Sequence, residues 1–405
     1  MEDFIKNQVA PTLKHLPKNL LKSYFISDSN AGTRSFRKNT GFIKGICHPS
    51  ENFEKVKGAG LEWVRSDIPF PFEGDGQIRQ SYIDFKARVK RFKDNGFKIM
   101  AVSPYPGDYI DYGIDPREEK NKGEIEKIAK FIVTDLQGYI DALQITNEMG
   151  IPRFTLPLSL KQGAEFIAAN AKAMFPDKGE IVVGYNCAGP QTDLNLLLLP
   201  YMKYIDWVGI DIYMGCFFFG TMWMFDALIR YLWAMTKKPV IICEYGYISG
   251  GKPKTKKEKE EIVHSYGAKN EKDARENIVR FVGNLPERMR EYVKKCAQEE
   301  SNYAKYIFHS EFTNHFYREL PRTTKIPGYD HTPEGQAKFY ANIIPRLSKY
   351  DFLCGMIVYC WQDSDKCYVC GQSDCPTETR WGLVDMNENE KPSYYAVKDA
   401  FAKVK

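Results

Sequence analysis

Two glutamates, Glu148 and Glu244, and four late cysteines, Cys360, Cys367, Cys370 and Cys375, are the residues whose types and spacing suit chemistry. Paired carboxylates can cleave an acetal. One attacks the carbon, and the other protonates the leaving oxygen and later deprotonates water, which requires carboxyl groups about 5–5.5 Å apart when the attack is covalent. A lone carboxylate at a strand end serves as readily as a surface residue or half of a structural ion pair, so the argument rests on the pair. The four cysteines are spaced C-x6-C-x2-C-x4-C. That pattern suits a tetrahedral structural zinc with no open position for water, and disulfides or unliganded thiols are the alternatives. Cys47, Cys187, Cys216, Cys243, Cys296 and Cys354 are scattered, several of them in strand-like runs where cysteine behaves as a small hydrophobe.

The scaffold that must position these residues alternates short apolar runs with amphipathic stretches, the pattern of strands and helices. Strands are predicted at Gly41–Cys47, Leu61–Val64, Phe97–Val102, Ala142–Thr146, Ile181–Tyr185, Trp207–Ile212, Val240–Cys243 and Phe352–Tyr359. Ser81 is a candidate cap for a helix running to Asn95, with Gly96 as its left-handed stop. Ser159 and Gln162 form a capping-box pattern, and Thr332-Pro333 opens a helix through Leu347. This order predicts an α/β fold, a (β/α)8 TIM barrel. A doubly wound sheet would need a G-x-G-x-x-G turn after the first strand, and the chain there reads Gly45-Ile46-Cys47-His48-Pro49.

In a barrel, functional side chains sit at the C-terminal ends of the strands. That rule selects His48, Arg65 with Asp67, Ser103 with Tyr105, Asn147 with Glu148, Asn186, Tyr213, Glu244 and Trp361. Strands four and seven face each other across the ring, so Glu148 and Glu244 can share one pocket. His48 and Asn186 can line that pocket or make structural hydrogen bonds, and Trp361 can form its floor or pack in the core.

Residues 1–40 read as a basic N-terminal extension without a strong period, and 41–405 as the barrel. One connection is too long for a structureless loop, since loops beyond about 12–15 residues are uncommon. The run 249–331, after strand seven, is therefore predicted to be a helical insertion, with helical periodicity over Asp273–Gln298. On the face where βα connections build active sites, it would be a lid or a contact between copies. The lysines at 252, 254, 256, 257 and 259 read as a solvated stretch at its start.

Several motifs together carry a resemblance. Thr146-Asn147-Glu148 and Cys243-Glu244-Tyr245-Gly246 resemble the ends of strands four and seven in clan A of the glycoside hydrolases, the retaining barrel enzymes. Trp63-Val64-Arg65-Ser66-Asp67 is similar to the clan's strand-two arginine motif. Asp206-Trp207-Val208-Gly209-Ile210-Asp211-Ile212-Tyr213 is similar to its strand-six tyrosine motif. Trp361 matches the tryptophan after strand eight, and Thr332-Pro333-Glu334-Gly335-Gln336 the opening of helix seven. The resemblance covers 41–401 apart from the insertion. It implies Glu148 as acid/base, Glu244 as nucleophile, Asn147 as the partner of a sugar hydroxyl, and Arg65 and Tyr213 set against Glu244. The reaction implied is retaining O-glycoside hydrolysis by double displacement through a covalent glycosyl-enzyme, with no cofactor for catalysis. A transglycosylase using the same residues and a non-catalytic carbohydrate-binding barrel are the alternatives.

Composition narrows the rest. The 405 residues include 25 Phe, 25 Tyr and 6 Trp, which excludes disorder for most of the chain. Ile212–Phe225 is too short to span a bilayer, which needs about 20 apolar residues. Basic and acidic residues number 57 and 52, too balanced for a nucleic-acid partner, so the expected partner is a carbohydrate or glycoside. Lys6, Lys14 and Lys18 interrupt any signal-peptide-like core near the start, which predicts a cytoplasmic protein. The sequence sets no oligomeric state.

Overall fold

A computed structural model describes residues 10–310 and 312–404. Eight parallel strands close into a barrel in sequence order. They are β1 Ile43–Cys47, β2 Trp63–Asp67, β3 Lys98–Val102, β4 Ala142–Ile145, β5 Val182–Ala188, β6 Trp207–Ile212, β7 Val240–Tyr245 and β8 Leu353–Val358. Every strand expected from the sequence is present, with ends shifted by up to three residues. The strands are nearly continuous apolar runs because helices cover the barrel outside and side chains fill it inside.

The caps behave as their chemistry requires. Gln162 Oε1 accepts from the Ser159 N–H at 2.9 Å, and Ser159 Oγ accepts from the Gln162 N–H at 3.3 Å. Thr332 Oγ1 accepts from the Gly335 N–H at 3.1 Å. The helix Gln80–Asp94 differs from expectation: its N-cap position is Arg79, which makes no side-chain cap, rather than Ser81.

Within the segment expected to be an extension, residues 10–40 are largely helical, which its weak period did not predict; residues 1–9 lie outside the described residues. Helices Ala10–Phe25 and Ala31–Thr40 pack against the barrel. The Trp233 indole donates to the Ser27 carbonyl at 3.2 Å, and Arg37 donates to the Leu353 carbonyl at 2.7 Å, at the start of β8. Phe36 is buried between polar and charged neighbours, so this helix is held by specific hydrogen bonds more than by an apolar stripe.

The insertion is helical, in short pieces: Lys256–Ser265, Glu271–Glu276, Ile278–Gly283, Glu287–Ala297, Tyr303–His309 and Phe312–Tyr317. The single period expected over Asp273–Gln298 is broken at Asn277 and again before Pro286, whose ring cannot continue a helix. These helices build an apolar cluster separate from the barrel core, around Phe281, Phe308, Phe312 and Phe316. Cys367, Val369, Cys370 and Cys375, from the loop after β8, complete that cluster. No helix among the described residues is long and apolar enough to cross a membrane.

Candidate active site

The C-terminal ends of the strands meet around one buried guanidinium. Arg65 on β2 is 4% exposed, in a place where an unpaired charge would be untenable. It donates Nη1 to Glu244 Oε1 at 2.7 Å, Nη2 to Asn147 Oδ1 at 2.7 Å and Nε to Gln144 Oε1 at 3.1 Å. Burial works against its charge, but Glu244, Cys47, Asp211 and Asp67 outweigh that and hold its pKa above the usual arginine range.

Glu244 is aimed at Arg65 by a local irregularity. β6 and β7 pair Ile210 with Ile242 but Asp211 with Glu244, a bulge that re-aims the end of β7. Gly209 makes the close approach practicable: a Cβ there would lie 2.5 Å from Cys243 Sγ and 2.8 Å from Asn186 Cβ. The second oxygen of Glu244 accepts from the Tyr213 hydroxyl at 2.5 Å. Both carboxylate oxygens are therefore held, one by a cation and one by a phenol.

Glu148 follows β4 through a strained turn. Thr146 and Glu148 have φ of 55° and 43°, left-handed values that cost non-glycine residues about 1–3 kcal/mol each. Hydrogen bonds hold the turn. The Thr146 N–H donates to Ser103 Oγ at 3.0 Å, and the Glu148 N–H donates to Asn186 Oδ1 at 2.9 Å. Asn186 Nδ2 donates to Asn147 Oδ1 at 2.7 Å and to Asp211 Oδ2 at 2.6 Å. Asn147 Oδ1 thus accepts from Arg65, Asn186 and Gln144, which fixes the amide with its oxygen toward Arg65 and its nitrogen away from it. An unbroken path runs from Glu244 through Arg65, Asn147 and Asn186 to the backbone of Glu148.

Asp211 lies at the centre of this charge. Burial raises its carboxyl well above the ordinary range, and the charges of Glu244 and Glu148 add to the effect. Its Oδ1 has no hydrogen-bond partner among the described residues, so nothing there offsets the cost of burying the charge. Tyr213 is likewise raised, first by burial and then by Glu244, so its hydroxyl stays a donor.

Aromatic rings surround Tyr213. Its ring meets Trp381 edge-on at 5.1 Å and Tyr359 at 5.9 Å, and Tyr359 also meets Trp381 at 5.7 Å and His48 at 5.7 Å. Gly246 admits this arrangement, since a Cβ there would lie 2.4 Å from the Tyr359 carbonyl oxygen. Trp361 is not in the cluster. It is fully buried and its ring meets Tyr394 at 6.2 Å. β8 ends at Val358, so the first aromatic past its end is Tyr359. Phe217 joins the cluster, 5.6 Å from Tyr213, whereas Phe218, Phe219 and Trp223 are exposed.

Of the residues chosen from the sequence, Arg65, Asn147, Asn186, Tyr213 and Glu244 thus share one hydrogen-bond network with the Glu148 backbone, and His48 touches its aromatic edge. Sequence reasoning missed Gln144 and Asp211, yet each is a polar residue inside an apolar strand, a signal that was available. It also missed Arg153, which no motif marks. Arg153 Nη2 lies 3.6 Å from Glu148 Oε2, and its Nη1 donates to the Tyr368 hydroxyl at 2.7 Å. Buried Glu378 is a fourth carboxyl nearby. Burial pushes it up to about 7, against the pull of His315 and Arg153.

Of the four cysteines expected together, Cys367 and Cys375 are grouped, joined by His315, and Cys360 and Cys370 lie outside that group. His315, Cys367 and Cys375 are the buried residues whose ligand atoms come together, all within 4.8 Å of one another. Cys360 belongs to the barrel core, and its Sγ faces the Gln362 carbonyl at 3.4 Å. It directly follows the residue past β8, whereas Cys367, Cys370 and Cys375 belong to the separate cluster of the insertion.

No protein-family model matches the chain, and no curated protein matches it. Solved structures do. A family 39 glycoside hydrolase from the gut symbiont Bacteroides cellulosilyticus WH2 superposes with a TM-score of 0.54 at 14% identity, over 89% of this chain and 63% of that one. The Ignisphaera aggregans GH53 catalytic domain gives 0.52 at 16% identity, over 93% and 96%. The Faecalibacterium prausnitzii beta-glucuronidase gives 0.51 at 14% identity, over 90% and 49%. The chain thus spans less than two thirds of the first of these structures and about half of the third. At these identities the likeness establishes the (β/α)8 barrel, the fold these glycoside hydrolases share.

Proposed function

We propose that the protein is a retaining O-glycoside hydrolase. The observation that carries this reading is Glu244, with both oxygens held by buried donors and tied through Arg65, Asn147 and Asn186 to Glu148. In the first step a Glu244 oxygen attacks the anomeric carbon while Glu148 gives its proton to the leaving oxygen, and the glycosidic bond breaks. In the second step Glu148 takes a proton from water, the water oxygen attacks the same carbon, and Glu244 departs as carboxylate.

The surroundings favour this division of labour. Arg65 and Tyr213 match the charge that returns to Glu244 when the covalent bond breaks. Arg153 faces the carboxylate that Glu148 becomes once its proton has left. The Asn147 amide nitrogen, turned away from Arg65, would donate to a sugar hydroxyl. Tyr359 and Tyr213, half-buried and backed by buried Trp381, offer ring faces and edges to the apolar face of a sugar. The substrate class is a glycoside, and the glycoside hydrolases of similar fold support that choice.

The test is a Glu244→Gly variant offered an aryl glycoside that the wild type cleaves. The variant should lose turnover by several orders of magnitude. Azide or formate should restore it, with a product of inverted configuration, because the small anion occupies the vacated space. Near-normal turnover without the anion would refute the assignment.

A further inference from the structure

The insertion and the loop after β8 meet at a cluster of soft ligands that the proposed reaction does not use. His315, in the insertion helix Phe312–Tyr317, turns its Nδ1 to Cys367 Sγ at 3.4 Å and to Cys375 Sγ at 3.8 Å. Buried Cys370 sits beside them, its N–H donating to Cys367 Sγ at 3.4 Å. Two thiols and an imidazole therefore converge from two separate parts of the chain, with a third thiol, Cys370, three residues from Cys367. A disulfide would use only two of the thiols and leave the third, with the imidazole, buried beside it.

The distances fit a metal. Zinc binds sulfur at about 2.3 Å and imidazole nitrogen at about 2.0–2.1 Å, so a tetrahedral site has sulfur–nitrogen edges of about 3.6 Å. The two observed separations bracket that value. The outer contacts fit as well. A metal-bound histidine usually directs its other nitrogen to a carboxylate or carbonyl. His315 Nε2 faces Glu378 Oε1 at 4.0 Å. The Cys370 N–H donates to Cys367 Sγ at 3.4 Å, as a backbone amide does to a thiolate ligand. Gly371, with φ of 72°, closes the turn that brings the two cysteines together. Four protein ligands leave no open position, which makes the site structural.

We propose that His315, Cys367, Cys370 and Cys375 bind one zinc ion, and that this ion clamps the helical insertion onto the loop after β8. Other contacts across the same seam are weaker or more exposed: Arg288 Nε donates to the Tyr368 carbonyl at 2.7 Å, and Arg318 reaches Asp374 at 3.3 Å. Tyr368, between two of the ligands, is also the partner of Arg153, so the clamp lies one side chain from the ion pair with Glu148. The zinc site does not depend on the glycosidase reading, and its test does not use activity.

The full chain, purified under reducing conditions without added metal, should contain about one equivalent of zinc. X-ray absorption at the zinc edge should then give three sulfurs and one nitrogen. Cys360→Ser should keep the metal, and His315→Ala should lose it. Chelation of the wild type should open the segment 249–331 to limited proteolysis while the barrel stays intact. Less than half an equivalent of zinc, a four-sulfur shell, a disulfide among these cysteines, or unchanged protease resistance after zinc removal would each overturn the proposal.

Discussion

Replacing Arg65 by methionine removes the cation that the whole network is built around. The guanidinium and the Glu244 carboxylate are 4% and 10% exposed, with Nη1 and Oε1 2.7 Å apart. Charge centres about 4 Å apart at an effective dielectric of about 20 attract by about 4 kcal/mol. Tyr213 continues to hold the other oxygen of Glu244 in the variant, so the recoverable coupling should be about 3 kcal/mol. Arg65→Met should destabilise by about 3–5 kcal/mol, because it leaves a buried carboxylate unpaired. Glu244→Gln should cost less, since Arg65 keeps Asn147 and Gln144. The assay is a double-mutant cycle by urea denaturation of the wild type, both single variants and the double variant. Repeating it in 1 M salt probes burial, since a desolvated pair is screened little. Additivity within about 0.5 kcal/mol would refute the buried pair, as would a coupling that disappears in salt.

Asp211→Asn should change the pH dependence of stability. A carboxyl whose pKa is raised in the folded state adds stability below its unfolded pKa and loses that contribution as the pH rises through the folded value. The melting temperature of the variant relative to wild type should therefore climb as the pH rises above the ordinary aspartate range, and a constant difference by calorimetry would contradict the assignment. Tyr359→Ala should raise KM for a glycoside by about tenfold, equivalent to about 1.4 kcal/mol, whereas Trp361→Phe should leave it within about twofold. Steady-state kinetics that reverse this order would return the sugar floor to Trp361.

Much of the fold was legible because barrel strands carry a dense apolar signal and their order admits one closure. That the candidate residues Arg65, Asn147, Glu148, Asn186, Tyr213 and Glu244 come together was legible too, since they are strand-end residues and the topology brings strand ends together. The errors have physical causes. The strand-eight run was read to Tyr359, and the motif beyond it drew attention to Trp361, although that ring turns back to Tyr394. His315 lies 52 residues before Cys367, in a segment whose fold depends on contacts with the loop it joins, so no local spacing could reveal it. Arg153 meets Glu148 only through the short helix Pro152–Thr155, which carries no period of its own. Helix Ala31–Thr40 is fixed by a capping box and by Arg37 at the base of β8, neither of which an apolar pattern registers.

The central claim is covalent catalysis by Glu244 assisted by Glu148. Proton NMR of the first sugar released from an aryl glycoside, recorded before mutarotation, tests it most directly. Two displacements at one carbon predict a product with the anomeric configuration of the substrate. First-formed product of the opposite configuration would contradict the account.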